Sequence, residues 1–497
     1  MLRRLFSTAT TAPGFRSGLP PTIKQLLASP SIPVGTGTPP AAAAAAAENV
    51  QVHGWIKSVR RQKRVAFAVV SDGSSARGLQ AVFRDPELAK PLTNGASVRL
   101  TGRLVESLGK GQDRELQVDG VDVIGECDPE VSTYPIQKQA LSTEYLRDHC
   151  HLRTKTDAIA SMLRLRDGAA SSFHHHFRDL GFVYTHTPVV TSNDCEGAGE
   201  TFRITHPSPV PSSPDRSPSR TPQAPAPPST DEFFGRPAYL TVSSQLHLES
   251  LAAALSRVYT LGPCFRAERS QTGRHLAEFW MLEAEWTFVD RVRDVCDVVE
   301  GSVKRVLRDA LAGAEVDEAR RAALEDAARA DKAWARMSYT QAVRALEASG
   351  RAFAFEPRWG QALQSEHERW LAESLVGGPV FVTDYPAALK PFYMRANDDD
   401  DDDGRRTVAC FDLLVPQLGE LAGGSLREHR VHLLEEAIGR HGLEREAYEW
   451  YVDLRRYGGA PHGGFGLGFE RLIGWVGGVE NVRECIAMPR WAGRMLL

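Results

Sequence analysis

Five segments between residues 50 and 125 alternate apolar and polar residues, and this pattern constrains the fold more than any other feature of the chain. Turns rich in Gly, Asp and Asn separate the segments, and each segment is long enough to form one strand. They read VQVHGWI, VAFAVVSDG, GLQAVF, SVRLTGRLV and RELQVDGVDVIG. Five short strands in succession predict a small antiparallel barrel, which we place at residues 48–127.

A basic cluster stands before the second predicted strand. Five of the eight residues from Lys57 to Arg64 are Lys or Arg, and Phe67 follows in the strand. Basic groups that track a phosphate backbone, beside a ring on which a base can stack, are typical of the OB-fold, a five-stranded barrel that binds single-stranded nucleic acid. A solvated hairpin with a core phenylalanine explains the same residues, and this segment alone does not decide between the two.

Residues 1–47 differ in composition from the rest of the chain. They contain Arg3, Arg4, Arg16 and Lys24 but no Asp or Glu, and their first part is rich in Ser and Thr. This composition, without a continuous apolar segment, is typical of an organellar transit peptide, and a disordered basic tail is the alternative. We expect a mitochondrial transit peptide and linker without regular secondary structure, and a protein of the mitochondrial matrix.

The overall charge and hydropathy exclude two classes of protein. The chain has 59 Lys and Arg against 63 Asp and Glu, and this net charge of −4 argues against nucleic-acid binding through bulk positive charge. No stretch approaches 18 uncharged apolar residues, so we expect no membrane-spanning helix and no membrane partner.

A second, larger domain is predicted after the barrel. A polar connector at residues 128–150 is expected to act as a hinge. Apolar residues then recur at helical spacing from Asp157 to Leu180, and Gly181 marks the end of that helix. Strand and helix patterns continue to the C-terminus, so we assign residues 151–497 to the second domain.

Two segments interrupt this domain. Residues 206–230 hold nine prolines and six serines, a composition that cannot build a packed core, and we expect a disordered insertion. Residues 397–404 form an acidic loop around the six aspartates Asp398 to Asp403. We assign no function to either segment and expect both to be solvated spacers.

Three separated clusters carry the chemistry. The first supplies arginines, a histidine and carboxylates, the second supplies Asp412 and Glu420 as oxygen ligands for Mg²⁺, and the third places glycines before Arg471. Each cluster by itself is also compatible with a surface ion-pair ladder or a turn. None matches the nucleotide-binding motifs GxxxxGK[ST] or GxGxxG. They read FRAERSQTGRHLAEFWMLEAEW (265–286), FDLLVPQLGELAGGSLREHR (411–430) and PHGGFGLGFERL (461–472).

Together these clusters resemble the class II aminoacyl-tRNA synthetases. Arg266 with Phe279 resembles motif 2, Arg471 after GLGFE resembles motif 3, and FVYTHTPVV with Pro188 resembles motif 1. A barrel ahead of such a core is the order of the aspartate, asparagine and lysine subgroup. Strings such as SNDCEGAGETF, GELAGGSLRE and DLRRYGGAPHGGFGLGFERL resemble the asparagine members over about residues 50–490. The resemblance implies an α+β catalytic domain with an antiparallel sheet, behind an N-terminal all-β OB-fold barrel.

The resemblance also implies an enzyme that joins L-asparagine to tRNA(Asn) in two steps. ATP and the amino acid first form asparaginyl-adenylate and pyrophosphate, and the amino acid then passes to the 3′ end of the tRNA. Mg²⁺ is the implied cofactor. A homodimer is implied as well, because motif 1 lies at a two-fold interface in class II enzymes.

Residues of the ATP site follow from the same resemblance. Arg266 would bind the α-phosphate and the substrate carboxylate, Arg471 would bind the γ-phosphate, and both are catalytic together with Glu420. Phe279 would stack on adenine, with Arg471 across its other face. The remaining ATP contacts are Glu268, at the adenine side, and His275, at the terminal phosphates.

The other implied sites hold the metal, the amino acid and the anticodon. Asp412 and Glu420 match the acidic pair that coordinates magnesium. Phe67 matches the ring on which the middle anticodon base stacks, and Gln80 matches a residue that reads a base edge. The residues assigned to the amino acid are Glu196, Gln245, Glu283 and Arg427.

A preference for asparagine over aspartate is predicted from three positions. Arg427 would donate to the side-chain carbonyl oxygen, whereas Glu283 would accept from the amide of asparagine and repel a carboxylate. Aspartate enzymes look to carry a Lys three residues after the Gln, where this chain has Leu248. The alternatives are a non-discriminating aspartyl-tRNA synthetase, a non-catalytic RNA-binding paralogue and a tRNA-independent amidotransfer or ligase enzyme.

Overall fold

The computed structural model describes residues 19–28, 49–107, 109, 112–128, 134–137, 139–192, 201–205, 232–399, 401 and 403–497. The chain forms two compact units, residues 1–164 and 165–497. The start of the expected transit peptide, the expected insertion at 206–230 and Glu196 lie outside the described residues. In the part of the chain that is described, no helix combines the length and the hydrophobicity that crossing a membrane requires.

The strands and helices have the following bounds. The first unit contains the strands β1 (Asn49–Arg61), β2 (Ala66–Ser71), β3 (Leu79–Phe83), β4 (Ser97–Glu106) and β5 (Arg114–Gly125). The second contains β6 (Val183–Tyr184), β7 (Val190–Thr191), β8 (Arg203–Ile204), β9 (Ala238–Leu240), β10 (Arg257–Phe265), β11 (Glu278–Thr287), β12 (Ala335–Ser338), β13 (Val380–Thr383), β14 (Cys410–Val415), β15 (Gly419–Leu426) and β16 (His462–Gly468). The α-helices in chain order are α1 (Ile23–Ala28), α2 (Thr143–Asp148), α3 (Cys150–Arg153), α4 (Asp157–Asp179), α5 (Gln245–Leu255), α6 (Val292–Ala312), α7 (Glu318–Glu325), α8 (Tyr339–Ala348), α9 (Ser365–Trp370), α10 (Val431–Arg440), α11 (Arg445–Arg456) and α12 (Phe469–Gly477).

The strands β1 to β5 close into a barrel in the order β1-β2-β3-β5-β4. Alternate residues of β2, namely Ala66, Ala68 and Val70, are buried inside it, because successive side chains of a strand point to opposite faces. The predicted five-stranded barrel is confirmed. One pair, β3 with β5, is parallel rather than antiparallel, since a closed ring of five strands cannot alternate direction throughout.

Helix α1 closes on the barrel within a segment for which the sequence predicted no regular structure, so that part of the prediction is wrong. Ile23 and Leu26 are buried in the barrel core. The carboxylate of Asp72, in the turn after β2, accepts from the backbone N–H of Ile23 at 2.7 Å, and Arg114 donates to the carbonyl of Leu26 at 3.3 Å. The helix is too short to show periodicity, and burial against the barrel is what stabilises it.

An eight-stranded sheet forms the centre of the second unit, in the order β12-β13-β14-β15-β16-β11-β10-β6. Neighbours from β13 to β10 are antiparallel, as predicted, whereas the edge pairs β12–β13 and β6–β10 are parallel and make the sheet mixed. Helix α6 packs on β14, β15 and β16, and helix α5 packs on β10 and β11. The predicted long helix is confirmed as α4, and Gly181, with φ of 75°, follows its end.

The described part of the acidic loop is largely exposed, as predicted for a spacer, but three of its aspartates have specific partners. Asp398 accepts from Arg430 at 2.8 Å and from Arg395 at 3.0 Å. Asp401 accepts from the hydroxyl of Thr340 at 2.6 Å. Asp403 accepts from Arg344 at 2.6 Å. These contacts join the loop to helix α8 and to Arg430, the residue before helix α10. Both partners are distant in sequence, so the composition of the loop could not identify them.

Candidate active site

Two cavities adjoin over the central strands β15, β16 and β11. We call the first the Phe279 cavity, and it gathers the predicted residues Arg266, Glu268, His275, Phe279, Glu420 and Arg471. We call the second the Arg427 cavity, and it gathers Gln245, Leu248, Glu283, Asp412, Glu420 and Arg427. Four residues, Arg266, Met281, Glu420 and Gly466, line both cavities, so the two are immediate neighbours.

Strand geometry explains why one segment serves both cavities. Phe279, Met281, Glu283 and Glu285 are two residues apart on β11, and side chains with this spacing share one face of the sheet. The neighbouring strand β16 is glycine-rich, and a Cβ at Gly466 would lie 2.7 Å from the side chain of Met281. A Cβ at Gly464 would overlap the Glu285 carboxylate. These glycines therefore make room for side chains of β11.

The Phe279 cavity combines arginines with an aromatic face. The guanidinium of Arg266 lies 5.5 Å from the centre of the Phe279 ring. Arg471 donates to the carboxylate of Glu420 at 3.2 Å, and Arg274 lines the same cavity. Arginines that converge on a cavity are typical of phosphate recognition, and a ring beside them offers a stacking surface for a base.

His275 is held with its ring in a fixed orientation. Its Nδ1 lies 2.6 Å from the hydroxyl of Thr272, and its Nε2 lies 3.4 Å from a carboxylate oxygen of Glu268. Burial lowers the pKa of His275 below its usual value; Glu268 opposes this shift, and Arg471 and Arg274 reinforce it. The lowered pKa favours the neutral imidazole at pH 7, which carries a single N–H.

The structure brings Asp412 and Glu420, the predicted magnesium ligands, to the same place, where Lys390 binds the first and Arg471 the second. A Cβ at Gly423 would lie 3.3 Å from Oδ1 of Asp412 and 3.5 Å from Oε1 of Glu420, so the two carboxylates flank a space that a methyl group would fill. Carboxylate oxygens are the ligands that Mg²⁺ prefers. Lys390 donates to both oxygens of Asp412 at 3.1 and 3.2 Å. Burial and the charge of Glu420 raise the pKa of Asp412, although Lys390 opposes the shift.

Glu283 is anchored on the turn before helix α5. Its carboxylate accepts from the hydroxyl of Ser243 at 2.5 Å and from the backbone N–H of Ser244 at 2.9 and 3.0 Å. Burial raises the pKa of Glu283, and these hydrogen bonds oppose the shift. A carboxylate has about four acceptor positions, so Glu283 retains the capacity to accept from a ligand amide.

Arg427 pairs with Glu285, a partner that the sequence did not predict. Arg427 donates to Glu285 through Nη2 at 2.9 Å and Nε at 3.2 Å, and through Nη1 to the hydroxyl of Ser425 at 2.7 Å. A guanidinium has five N–H groups, so two remain for a ligand. Leu248 lines the cavity and supplies no charge there.

The barrel carries its predicted residues on its outer face. Phe67 and Val69 are half-buried outward-facing residues of β2, and Val69 pairs directly with Gln80 of β3, so Phe67 and Gln80 share one face. The guanidinium of Arg60 lies 5.2 Å from the centre of the Phe67 ring. Gln80 donates to Glu115 at 3.4 Å. Phe67 is therefore not a core phenylalanine.

The basic cluster is smaller than its composition indicates. Lys57 donates to the carbonyl of Lys155 and forms an ion pair with Asp157, both at 2.6 Å. Arg61 donates to the carbonyls of residues 89, 90 and 92. Arg60, Arg61, Lys63 and Arg64 are exposed, and these four present positive charge to solvent, whereas Lys57 is paired with Asp157.

Known families match most of the chain. A family model described as tRNA synthetases class II (D, K and N) matches residues 142–492, and an OB-fold nucleic acid binding domain matches residues 50–124. An asparaginyl-tRNA synthetase of Mus musculus is 45% identical over 460 residues, covering 90% of this chain and 91% of its own length. An asparagine–tRNA ligase of Thermosynechococcus vestitus is 44% identical and covers 90% of this chain and 96% of its own length.

The chain belongs to the asparaginyl-tRNA synthetase family. Its fold agrees with this assignment. The solved structure of asparaginyl-tRNA synthetase from Pyrococcus horikoshii, complexed with asparaginyl-adenylate, is similar with a TM-score of 0.75 and 28% identity, over 90% of this chain and 96% of that chain. The expected class II catalytic core with an N-terminal OB-fold barrel is confirmed.

The resemblance to asparaginyl-tRNA synthetases did not identify every charged residue of the site. Glu368 of helix α9 accepts from the backbone N–H of Glu420 at 3.2 Å and lies 3.8 Å from Arg274. Burial raises the pKa of Glu368 to about 7, and the neighbouring charge of Glu420 adds to the shift. No local pattern marks Glu368 or Lys390, because each reaches the site only through the packing of distant segments.

Proposed function

We propose that this chain is an asparagine–tRNA ligase that uses ATP as its second substrate. One observation carries the proposal: Arg266 lines both the Phe279 cavity and the Arg427 cavity. An amino acid in the Arg427 cavity and the α-phosphate of ATP in the Phe279 cavity would meet at this arginine. Holding two reactants together in this way supplies much of the rate enhancement in reactions that need no covalent catalyst.

In the first step, an oxygen of the asparagine carboxylate attacks the α-phosphorus of ATP. A new P–O bond forms, the bond to the β-phosphate breaks, and pyrophosphate leaves. Arg266 neutralises the charge that develops on the α-phosphoryl group, and Arg471 binds the γ-phosphate. Mg²⁺ bound by Asp412 and Glu420 would further neutralise the phosphate oxygens.

The second step transfers the amino acid to RNA. The 3′-hydroxyl of the terminal adenosine of tRNA(Asn) attacks the carbonyl carbon of the adenylate, an ester forms, and AMP leaves with the bonding electrons. The barrel selects the tRNA: Phe67 stacks on the middle anticodon base, Gln80 reads a base edge, and Arg60 contacts the backbone. The shared outward face of Phe67 and Gln80 supports this role.

Asparagine is preferred to aspartate because the side-chain end of the Arg427 cavity has no surplus positive charge. Glu285 already neutralises Arg427, and Leu248 stands where a cation would favour a carboxylate. Glu283 accepts from the substrate amide. An aspartate carboxylate would lose that hydrogen bond and face an uncompensated charge, so we expect a preference of about a hundredfold or more.

We further propose a homodimer. Exposed apolar side chains of the motif 1 segment support it: Val183 is 44% exposed, and Val190 is 41% exposed. Apolar residues clustered on a surface are typical of protein interfaces. Val190→Asp should convert a dimer measured by sedimentation into a monomer, and an unchanged mass would contradict the proposed interface.

Location in the mitochondrial matrix is likewise a proposal, and it rests on the acid-free, Arg-rich composition of the first 18 residues. A fluorescent protein fused behind this segment should enter mitochondria. Replacing Arg3, Arg4 and Arg16 by Gln should abolish import. Import by this variant would contradict a targeting signal that depends on these charges.

The decisive experiment measures exchange between pyrophosphate and ATP with asparagine or aspartate, followed by charging of tRNA(Asn). Exchange should depend on asparagine and disappear in Arg266→Ala. Equal exchange with both amino acids would indicate a non-discriminating aspartyl enzyme. Absence of exchange with retained tRNA binding would indicate a non-catalytic RNA-binding protein.

A further inference from the structure

Glu249, on helix α5, is a fully buried carboxylate for which the sequence predicted no role. Four donors bind it, one from its own helix and three from other parts of the second unit: Gln245 through Nε2 at 3.1 Å, Tyr451 through its hydroxyl at 2.9 Å, Arg455 through Nη2 at 2.6 Å and His462 through Nε2 at 3.0 Å. These four bonds fill the acceptor capacity of a carboxylate. Glu249 therefore acts on its neighbours rather than on a ligand.

Helical spacing places Glu249 directly behind the wall of the Arg427 cavity. Gln245 and Leu248 line the cavity, and Glu249 follows Gln245 by one turn of helix α5. A carboxylate can only accept, so the Gln245 amide must turn its NH₂ group towards Glu249. The amide oxygen of Gln245 is then left to accept from a ligand, as the α-ammonium of an amino acid requires.

The same carboxylate influences Arg427. An oxygen of Glu249 lies 3.9 Å from Nε of Arg427, while Glu285 lies 2.9 Å from Nη2 of that residue. Arg455 supplies the second positive charge and is bound to Glu249 itself. The charges of these two arginines and of the two carboxylates, Glu249 and Glu285, thus cancel at the side-chain end of the cavity. Glu283 adds a further carboxylate nearby.

We propose that Glu249 is a positioning residue that determines both ends of amino-acid recognition. It orients Gln245 towards the α-ammonium, and together with Glu285 it cancels the charge of Arg427, so that the cavity prefers a carboxamide to a carboxylate. The inference rests on the proposed ligase function and deepens it.

The ionisation of the cluster agrees with this role. Burial alone would raise the pKa of Glu249, but Arg455, the hydrogen bond from His462 and the charge of Arg427 outweigh burial and hold that pKa well below its usual range. Burial raises the pKa of Glu285, Arg427 opposes the shift, and the charge of Glu249 adds to it. Glu249 is therefore ionised at pH 7.

A cation site is the alternative use of these groups. Ligand atoms of Glu249, Glu285 and His462 lie within 4.8 Å of one another. However, Arg427 and Arg455 donate directly to the two carboxylates, and a metal ion would have to displace both guanidinium groups. Charge balance between arginines and carboxylates accounts for the cluster without an ion.

The test compares Glu249→Gln with a matched control. Glu300→Gln also removes a buried, ion-paired carboxylate of the second unit, but Glu300 contacts Lys304 and Arg336 rather than either cavity. For each variant we would measure KM and kcat for asparagine and for aspartate in pyrophosphate exchange, KM for ATP, and inhibition by succinamate, which is asparagine without its α-amino group.

Glu249→Gln should raise KM for asparagine about tenfold to a hundredfold, with KM for ATP near the wild-type value. It should also lower the asparagine-to-aspartate preference and the advantage of asparagine over succinamate by about tenfold each. Glu300→Gln should change none of these ratios. A Glu249→Gln enzyme with wild-type ratios, or one in which only kcat falls equally for both amino acids, would overturn the proposal.

If Glu249→Gln does not fold, Glu249→Asp keeps the charge on a shorter side chain. It should retain the preference for asparagine over aspartate while losing the advantage of asparagine over succinamate. A Glu249→Asp enzyme that loses the preference for asparagine over aspartate but keeps the advantage of asparagine over succinamate would refute the proposal. A wild-type chain without asparagine-dependent exchange would instead refute the proposed function.

Discussion

Arg427 and Glu285 form a buried bidentate ion pair that spans the intervening strand β16. The two residues belong to segments 142 positions apart in the chain, and their closest nitrogen and oxygen lie 2.9 Å apart. Gly464 of β16 has no side chain to separate them. The absence of a Cβ at one glycine is therefore what allows the guanidinium to be neutralised at the end of the amino-acid cavity.

Replacing Arg427 by Lys should uncouple this pair while keeping its charge. A lysine ammonium lacks the planar fork that binds Glu285 and still offers N–H groups to a substrate. We expect KM for asparagine to rise about tenfold or more, with KM for ATP nearly unchanged. Arg336→Lys, at an arginine paired with Asp297 and Glu300, serves as the control. Equal changes in both KM values would contradict the assignment.

Phe67→Ala should impair tRNA recognition alone. Stacking of one base on an aromatic side chain contributes about 1–3 kcal/mol, so KM for tRNA should rise about tenfold or more. Pyrophosphate exchange should stay near wild type, because the substitution lies in the barrel. Val69→Ala, on the same outer face, is the matched control. A variant that loses both activities would show that Phe67 acts through stability instead.

Gly423→Ala should fill the space between the metal-binding carboxylates. The added methyl group would lie 3.3 Å from Asp412, a tight contact to which that carboxylate must adjust, and 3.5 Å from Glu420, so less room is left for a hydrated cation. Half-maximal exchange should require a higher Mg²⁺ concentration, and Mn²⁺ binding followed by electron paramagnetic resonance should weaken. Gly439→Ala adds a methyl group in open space and should have neither effect. Unchanged Mn²⁺ affinity in Gly423→Ala would argue against this metal site.

Ile23→Ala should destabilise the barrel, although it lies before the predicted barrel boundary. Its side chain is 1% exposed, and truncating a buried aliphatic residue costs about 2–5 kcal/mol. Lys24→Ala, at the next, exposed position, should cost far less. Denaturant unfolding monitored for the first unit measures the difference. Equal stabilities of the two variants would mean that helix α1 is not part of the barrel core.

Asp398→Asn should have a pH-dependent effect on stability. Hydrogen bonds from Arg430 and Arg395 hold the pKa of Asp398 below its usual value, so its contribution is present above the unfolded-state pKa and is lost as the pH falls through the folded-state pKa. Because Asp398 is 63% exposed, the loss at pH 7 should be under about 1 kcal/mol.

The difference between wild type and Asp398→Asn should begin to shrink as the pH falls below about 4, the usual aspartate pKa, and should vanish below the lowered folded-state pKa of Asp398. Asp399→Asn is the control, since no hydrogen bond or ion pair found among the described residues involves Asp399. A difference of the same size at pH 7 and at acid pH would contradict an ionic origin.

Features with local signatures were predicted correctly. The alternation along β2 and along β11 predicts which side chains share a face, because a strand has a period of two whatever surrounds it. The resemblance to class II synthetases assigned Phe279 to the ATP site and Glu283 to the amino-acid site, and the structure places them in the two neighbouring cavities. The structure adds that the glycine run before Arg471 forms strand β16, whose lack of side chains leaves room for those of β11.

Features that depend on distant partners were missed. Helix α1 is too short for a periodic pattern, and only the buried environment of Ile23 and Leu26 explains it. The acidic loop has the composition of a spacer, yet Arg430 and Thr340 bind it from other segments. Glu368 and Lys390 carry no motif and enter the site through packing.

By itself the sequence determined the five barrel strands and the long helix that follows them, because alternation and helical period act over a few residues, and its resemblance to class II synthetases supplied the candidate site residues. Only the tertiary structure decided the charge balance around the amino-acid cavity. Arg455 and Glu249, for example, are separated by 206 positions and lie 2.6 Å apart. Electrostatic interactions depend on distance in space, and the fold alone determines which of these charges meet.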